Sequence, residues 1–204
     1  MTAPSAFQRF LDSTVLDFDR WHDGEGYDVS ALAEMSAEER LKAGELMLGR
    51  DMTWREIEVL EALDQSVGWQ AIERALEEGD DADVRLATAA ALHRRQRLRQ
   101  PLEEILAREI RRLRTIPGGS TRALLMAAEY PSAPVKEALF AASSRKSEIA
   151  LHCAALLCYL SGKAREPFDW ELRPFFLRFG PDNGEEDRQA ALRELGAILQ
   201  GSTR

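Results

Sequence analysis

Asp80-Asp81-Ala82-Asp83-Val84-Arg85-Leu86-Ala87-Thr88-Ala89-Ala90-Ala91-Leu92 decides how the rest of the chain is read. An acidic turn runs straight into a segment whose apolar side chains are mostly alanine. Alanine is the strongest helix former. Small side chains also let two helices approach closely along their length. The stretch therefore predicts a helix from Ala82 to about Arg95 that is built to stack against other helices.

Working outward, the flanking segments read the same way. Pro101 sits at the first position of a helix reaching about Arg114, where its missing N–H costs nothing. Pro117-Gly118-Gly119 ends it. Ser120 caps a helix to about Glu129, and Ser132 with Pro134 starts another to about Ser143. Ser147 caps the most apolar helix, Ile149 to Leu160, closed by Gly162. A polar turn, Pro181-Asp182-Asn183-Gly184, leads into a last helix from about Glu185 to Leu199.

Upstream, Phe7, Phe10, Leu11, Thr14, Val15 and Phe18 recur at helical spacing and predict a helix from about Pro4 to Phe18. Asp28 caps a short helix through Ala33. Ser36 with Glu39, and Thr53 with Glu56, are capping boxes that start helices to about Arg50 and Leu63. Ser66 caps a further helix to about Glu78, with Trp69 and Ile72 inward. No segment alternates as a strand does, so the expected class is all-α.

The quoted stretch resembles the second helix of a HEAT-type repeat. In that family an Asp in the turn and an Arg just inside the helix recur; here Asp81 or Asp83 and Arg85 hold those places. Ile149-Ala150-Leu151-His152-Cys153-Ala154-Ala155-Leu156-Leu157 starts 65 residues after Val84 and carries a similar small-residue stripe. Thr121-Arg122-Ala123-Leu124-Leu125-Met126-Ala127-Ala128 is a degenerate copy between them. The resemblance implies a HEAT-like α-solenoid of antiparallel helical hairpins. Its expected parts are N-terminal helices and a loop (1–52), a repeat core (53–161) and an aromatic cap with a final helix (162–204). A four-helix bundle is the alternative.

Charge is uneven along the 204 residues. Residues 1–80 carry 19 Asp and Glu against 7 Lys and Arg, a balance of −12; residues 81–204 carry 16 against 20, a balance of +4. An acidic half disfavours phosphate backbones and favours basic partners. No apolar run approaches the ~20 residues that cross a bilayer. Met1-Thr2-Ala3-Pro4-Ser5 lacks the basic start and apolar core of a secretory signal. A cytoplasmic protein without membrane attachment is expected. Cys153 and Cys158 lie five residues apart on one helix and point to different sides. They read as two buried thiols rather than a disulfide.

No nucleophile elbow, phosphate loop or HExxH helix occurs. His22-Asp23 resembles the pair used by a class of metal phosphohydrolases, but only His93 and His152 remain to complete a metal shell. Neither catalysis, nor a metal, nor a cofactor is expected. Two other features stand out. Trp21-His22-Asp23-Gly24-Glu25-Gly26-Tyr27-Asp28 is a glycine loop bearing large aromatics, read as a structural plug or a binding loop. Lys163–Phe179 holds five of the chain's fifteen aromatics and two prolines. It is placed to cover the last apolar face of a stack, or to offer an aromatic anchor.

The loop and the aromatic segment together resemble a group of small bacterial HEAT-like proteins. The matching residues are Trp21 to Gly24, Gly162-Lys163-Ala164, Glu166 to Trp170 and Arg173 to Phe179. That resemblance implies a candidate immunity protein against a secreted antibacterial toxin, including those delivered by type VI secretion. An acidic immunity protein would associate rapidly with a basic toxin. On this reading Glu56, Glu58, Glu61, Glu73, Glu77, Glu78, Asp80 and Asp81 carry the contact, with Trp54 or Trp69 as anchors if exposed. A first rival is a HEAT-like DNA-binding or DNA-repair glycosylase. It would use Arg94, Arg95, Arg97, Arg99, Arg108, Arg111, Arg112 and Arg114 on phosphates; the overall acidity counts against nucleic acid. The same arginines also read as complements to the acidic half. A second rival is a scaffold or chromophore-lyase-like chaperone. The oligomeric state is not legible.

Overall fold

The computed structural model describes residues 4–15, 17–18, 24–116 and 119–201. Among them the backbone forms eleven α-helices and two short 3-10 helices, and no strand. The chain makes two compact units, Met1–Asp80 with Ala87–Arg97, and Asp81–Leu86 with Leu98–Arg204.

The first unit contains α1 (Ala6–Ser13), a 3-10 helix (Val29–Glu34), α2 (Ala37–Leu48), α3 (Trp54–Leu63) and α4 (Ser66–Glu78). Both predicted capping boxes form: Ser36 and Glu39 start α2, Thr53 and Glu56 start α3. The last three helices pack on one another. Their interior holds Met47, Ile57, Leu60 and Ile72, all essentially without exposure. α1 is shorter than its periodicity predicts. The Ser13 and Thr14 hydroxyls turn back onto the carbonyls of Phe10 and Leu11, at 2.6 and 2.8 Å. Such local bonds compete with helix propagation.

The alanine-rich helix is α5 (Ala82–Arg94). Its first residues belong to the second unit and Ala87 onward to the first. Leu86, Ala89, Ala91 and Leu92 are buried, as the small-residue stripe predicts.

The second unit contains α6 (Leu102–Arg112), α7 (Ser120–Glu129), α8 (Ala133–Ser143), α9 (Ala150–Leu160), a 3-10 helix (Trp170–Leu172), α10 (Arg173–Leu177) and α11 (Glu185–Leu199). Packing is mostly between helices adjacent or next but one in sequence. α6 lies against α7 and α8; α9 lies against α7, α8, α10 and α11. α9 is apolar except for His152 and Tyr159, which share one side, and seven of its eleven residues are buried.

Several caps differ from the serine-based prediction. Gln65, not Ser66, is the N-cap of α4. α9 begins at Ala150, and the buried Ser147 hydroxyl has no hydrogen-bond partner among the described residues. Ser120 lies inside α7 and donates to the Ile116 carbonyl, while Gly119 is the N-cap. The glycine is required there. Its φ is +83°, and a Cβ would stand 2.6 Å from the Asp83 backbone nitrogen.

Candidate functional site

The acidic residues proposed as a contact surface do not share one fate. Glu56 is 2% exposed. One oxygen accepts from the Tyr27 hydroxyl at 2.7 Å, and the other accepts from the Thr53 amide and hydroxyl. It is a structural carboxylate and leaves the surface set. Glu61 takes the Arg94 guanidinium through two bonds, at 2.9 and 2.5 Å. Glu73 takes Arg97 at 3.2 Å. Glu58 is half-buried, close to where a Gly26 Cβ would stand. Asp81 accepts from the Asp83 amide at 2.7 Å and so serves the start of α5.

Glu77, Glu78 and Asp80 remain. They are exposed and have no ion-pair partner among the described residues. Glu77 and Glu78 fall in the last turn of α4, which has no basic residue. That turn carries the negative end of the helix dipole, so the two carboxylates oppose it.

Neither anchor tryptophan is a free platform. Trp69 is 3% exposed; its indole N–H donates to Asp64 at 2.8 Å, and the Arg97 guanidinium lies 4.9 Å from its ring centre. Sequence alone could not separate an anchor from a core tryptophan at helical spacing. Trp54 is half-buried, with Arg55 over its ring at 4.5 Å and Gly26 against its edge.

The eight arginines are divided between the units. In the first, Arg94 and Arg97 meet Glu61 and Glu73, and Arg95 lies over Trp69 at 6.0 Å. In the second, Arg108 and Arg112 approach the fully buried Glu109, at 3.7 and 3.2 Å. Arg85 reaches the same carboxylate at 2.7 Å. Arg114 folds back onto the carbonyls of Arg111, Arg112 and Leu113, the unsatisfied end of α6. Arg145 reaches the Ile110 and Arg111 carbonyls at the same end. Arg99 and Arg111 keep exposed side chains.

Trp21, His22 and Asp23 lie outside the described residues. The rest of the loop is docked. Tyr27 is buried between Glu56 and Arg50, whose guanidinium also reaches Thr14. Arg55 donates to the Glu25 carbonyl at 2.7 Å. Burial, then the Glu56 carboxylate, raises the Tyr27 pKa above the ordinary phenol range. Of the described part of the loop, Tyr27 is buried while Gly24, Glu25 and Gly26 are exposed.

The aromatic segment splits into two sides. Phe168, Phe175, Phe176 and Phe179 form a chain of ring contacts, 5.5 to 5.7 Å between centres, and Phe168 meets His152 of α9 at 5.9 Å. Trp170 points away, 69% exposed, with Arg173 over its ring at 4.4 Å. Asp169 fixes this turn by accepting from the Arg165 and Glu171 amides, which hold its carboxyl below the usual range. An outward Trp within a cluster of inward Phe was the residue sequence reasoning did not single out. Among the aromatics of this segment its indole is the one that the turn leaves exposed.

Cys153 and Cys158 are buried free thiols, pushed up by burial to about 12 and about 11. Among the described residues no group of three or more His, Cys, Asp or Glu is placed to hold a metal ion. Among the described residues no helix is long and apolar enough to cross a membrane. Compared with family models, curated proteins and solved structures, the chain matches none.

Proposed function

We propose that this chain is a cytoplasmic, non-catalytic protein-binding module of HEAT-like helical repeats, an immunity protein that occludes a basic secreted antibacterial toxin. The next-but-one helix packing of α6 to α9 supports the repeat reading. One observation carries the binding reading: Glu77 and Glu78 at the negative end of α4, and Asp80 just beyond it, are exposed and have no ion-pair partner among the described residues. These carboxylates work against their own helix. A charge arrangement that costs the fold and does nothing visible within it fits a surface kept for a cationic partner.

The first unit still carries 19 acidic against 10 basic side chains once Arg94, Arg95 and Arg97 are counted with it, a balance of −9. The second carries 16 against 17, a balance of +1. The arginines offered for nucleic acid are largely engaged by carboxylates and helix carbonyls, which favours the protein partner.

The test compares the wild-type chain with a Glu77→Lys/Glu78→Lys double variant, each immobilised and offered nuclease-treated lysate of the source organism. Any stoichiometric partner is then co-expressed with the chain in a growth assay. The double variant is expected to fold more stably, by about 0.3–1 kcal/mol per residue from the dipole alone. It is also expected to capture less of a basic, growth-inhibiting protein and to rescue growth less well. Equal capture by both chains removes the acidic-end reading. Loss of all captured material on nuclease treatment moves the argument to the arginines.

A further inference from the structure

The Trp170 turn belongs to neither the core nor the acidic surface. The 3-10 helix and α10 run on without a break, so Trp170, Arg173 and Leu177 follow one another at helical spacing along one side. All three are exposed, Trp170 at 69% and Leu177 at 47%, while Phe176 on the other side has no exposure at all. A Trp held in place by a stacked guanidinium loses little freedom on binding. Trp and Arg are also the residues that dominate interface energetics.

The charges around this apolar centre say what covers it. Arg165 and Glu171 pair at 3.2 Å, with 80% and 71% of their side chains exposed. Such a pair holds little in water and is easily exchanged. Among the described residues Arg173, stacked on Trp170, is the one further charge placed at this centre. A strongly acidic or basic partner would meet its own sign on this face. A two-fold copy of the same face would meet complementary charges, as isologous contacts require.

We infer that the Trp170 face is where two copies of this chain meet about a two-fold axis. Trp170 and Leu177 form the dry centre, and Arg165 and Glu171 of one copy face Glu171 and Arg165 of the other. Exposed Trp170 contributes roughly 150 Å² of contact area. A stable interface buries about 800 Å² per partner, so the charged rim must take part. The expected affinity is micromolar. The inference does not depend on the toxin reading, since it concerns the purified chain alone.

Sedimentation velocity of the full chain from about 1 to about 100 μM reads it directly. The expected result is a monomer–dimer equilibrium, weakened at least tenfold by Trp170→Ala with the thermal melt unchanged. Leu177→Asp, on the same side, gives a second reading should Trp170→Ala alter the melt. Arg165→Glu and Glu171→Arg separate the mechanism. Each variant alone repels its own copy, so each should be monomeric, while an equimolar mixture of the two should restore dimers. A wild-type chain that stays monomeric over the whole range overturns the proposal. So does a dimer insensitive to both Trp170→Ala and Leu177→Asp, or a mixture no more dimeric than its components.

Discussion

In the first unit the end of α5 and the turn after it are fastened nearer the surface, by Arg94 on a Glu61 that is 14% exposed and by Arg97 on Glu73, a pair about half exposed on both sides. In the second its opening turn is fastened from within. Arg85 reaches a Glu109 that has no exposure; the Asp83–Arg122 pair beside it, at 2.7 Å, is only half-buried. The chemical groups are the same and the physics is not. A surface pair competes with water and salt. A buried pair has already lost its water, so each partner depends on the other. The lesson is that an Arg-rich sequence says little about a free basic surface until the burial of the opposing carboxylates is known.

The comparison can be broken at Glu109. Glu109→Ala removes the carboxylate shared by Arg85, Arg108 and Arg112 and leaves Arg85, only 16% exposed, without it. A loss of about 3–5 kcal/mol is expected, read as a lower midpoint in urea unfolding. A loss below 1 kcal/mol would mean that the site is wetter than its burial indicates.

A middle case lies in the first unit. Tyr27→Phe removes the 2.7 Å bond to Glu56 and the Arg50 contact, at an expected cost of about 1–2 kcal/mol. The substitution also tests a pH effect. Because the folded state holds the Tyr27 proton to higher pH than the unfolded state does, its contribution is complete below about pH 10. It is lost as pH rises through the raised folded value. Thermal melts from neutral to strongly alkaline pH should fall less steeply for the Phe variant; parallel curves would place the alkaline loss elsewhere.

The smallest effect belongs to the surface pair. Glu73→Ala, in the pair about half exposed on both sides, should cost no more than about 1 kcal/mol, and the difference from wild type should shrink in high salt. A cost equal to that of Glu109→Ala would erase the distinction between the two ends of α5.

The helices were largely legible because their signals are local. The capping boxes at Ser36 and Thr53, the alanine stripe of α5 and the apolar run of α9 each act within a few residues. The serine caps at Ser66, Ser120 and Ser147 misled for a tertiary reason. Gly119 had to clear Asp83, and Ser147 is enclosed by its neighbours. The contact surface proposed above rests, at the level of sequence, on a charge imbalance alone. Glu56 was legible as the capping-box partner of Thr53, a local role that Glu77 lacks, but its burial was not, since that also needs the approach of Tyr27 from 29 residues away. Trp170 was hidden by its company, since the spacing that turns four phenylalanines inward turns one indole out.

The apolar character of α9 has a consequence for how the protein is made. α9 leaves the ribosome before Phe176, Phe179 and Leu195, the buried side chains of the segment that follows it. Until those residues emerge, a helix whose only polar side chains are His152 and Tyr159 waits with part of its apolar surface uncovered, the condition in which nascent chains associate wrongly. Synthesis that pauses or stops between Leu160 and Arg173 should therefore yield a chain that recruits chaperones or aggregates, although every helix up to that point is already encoded.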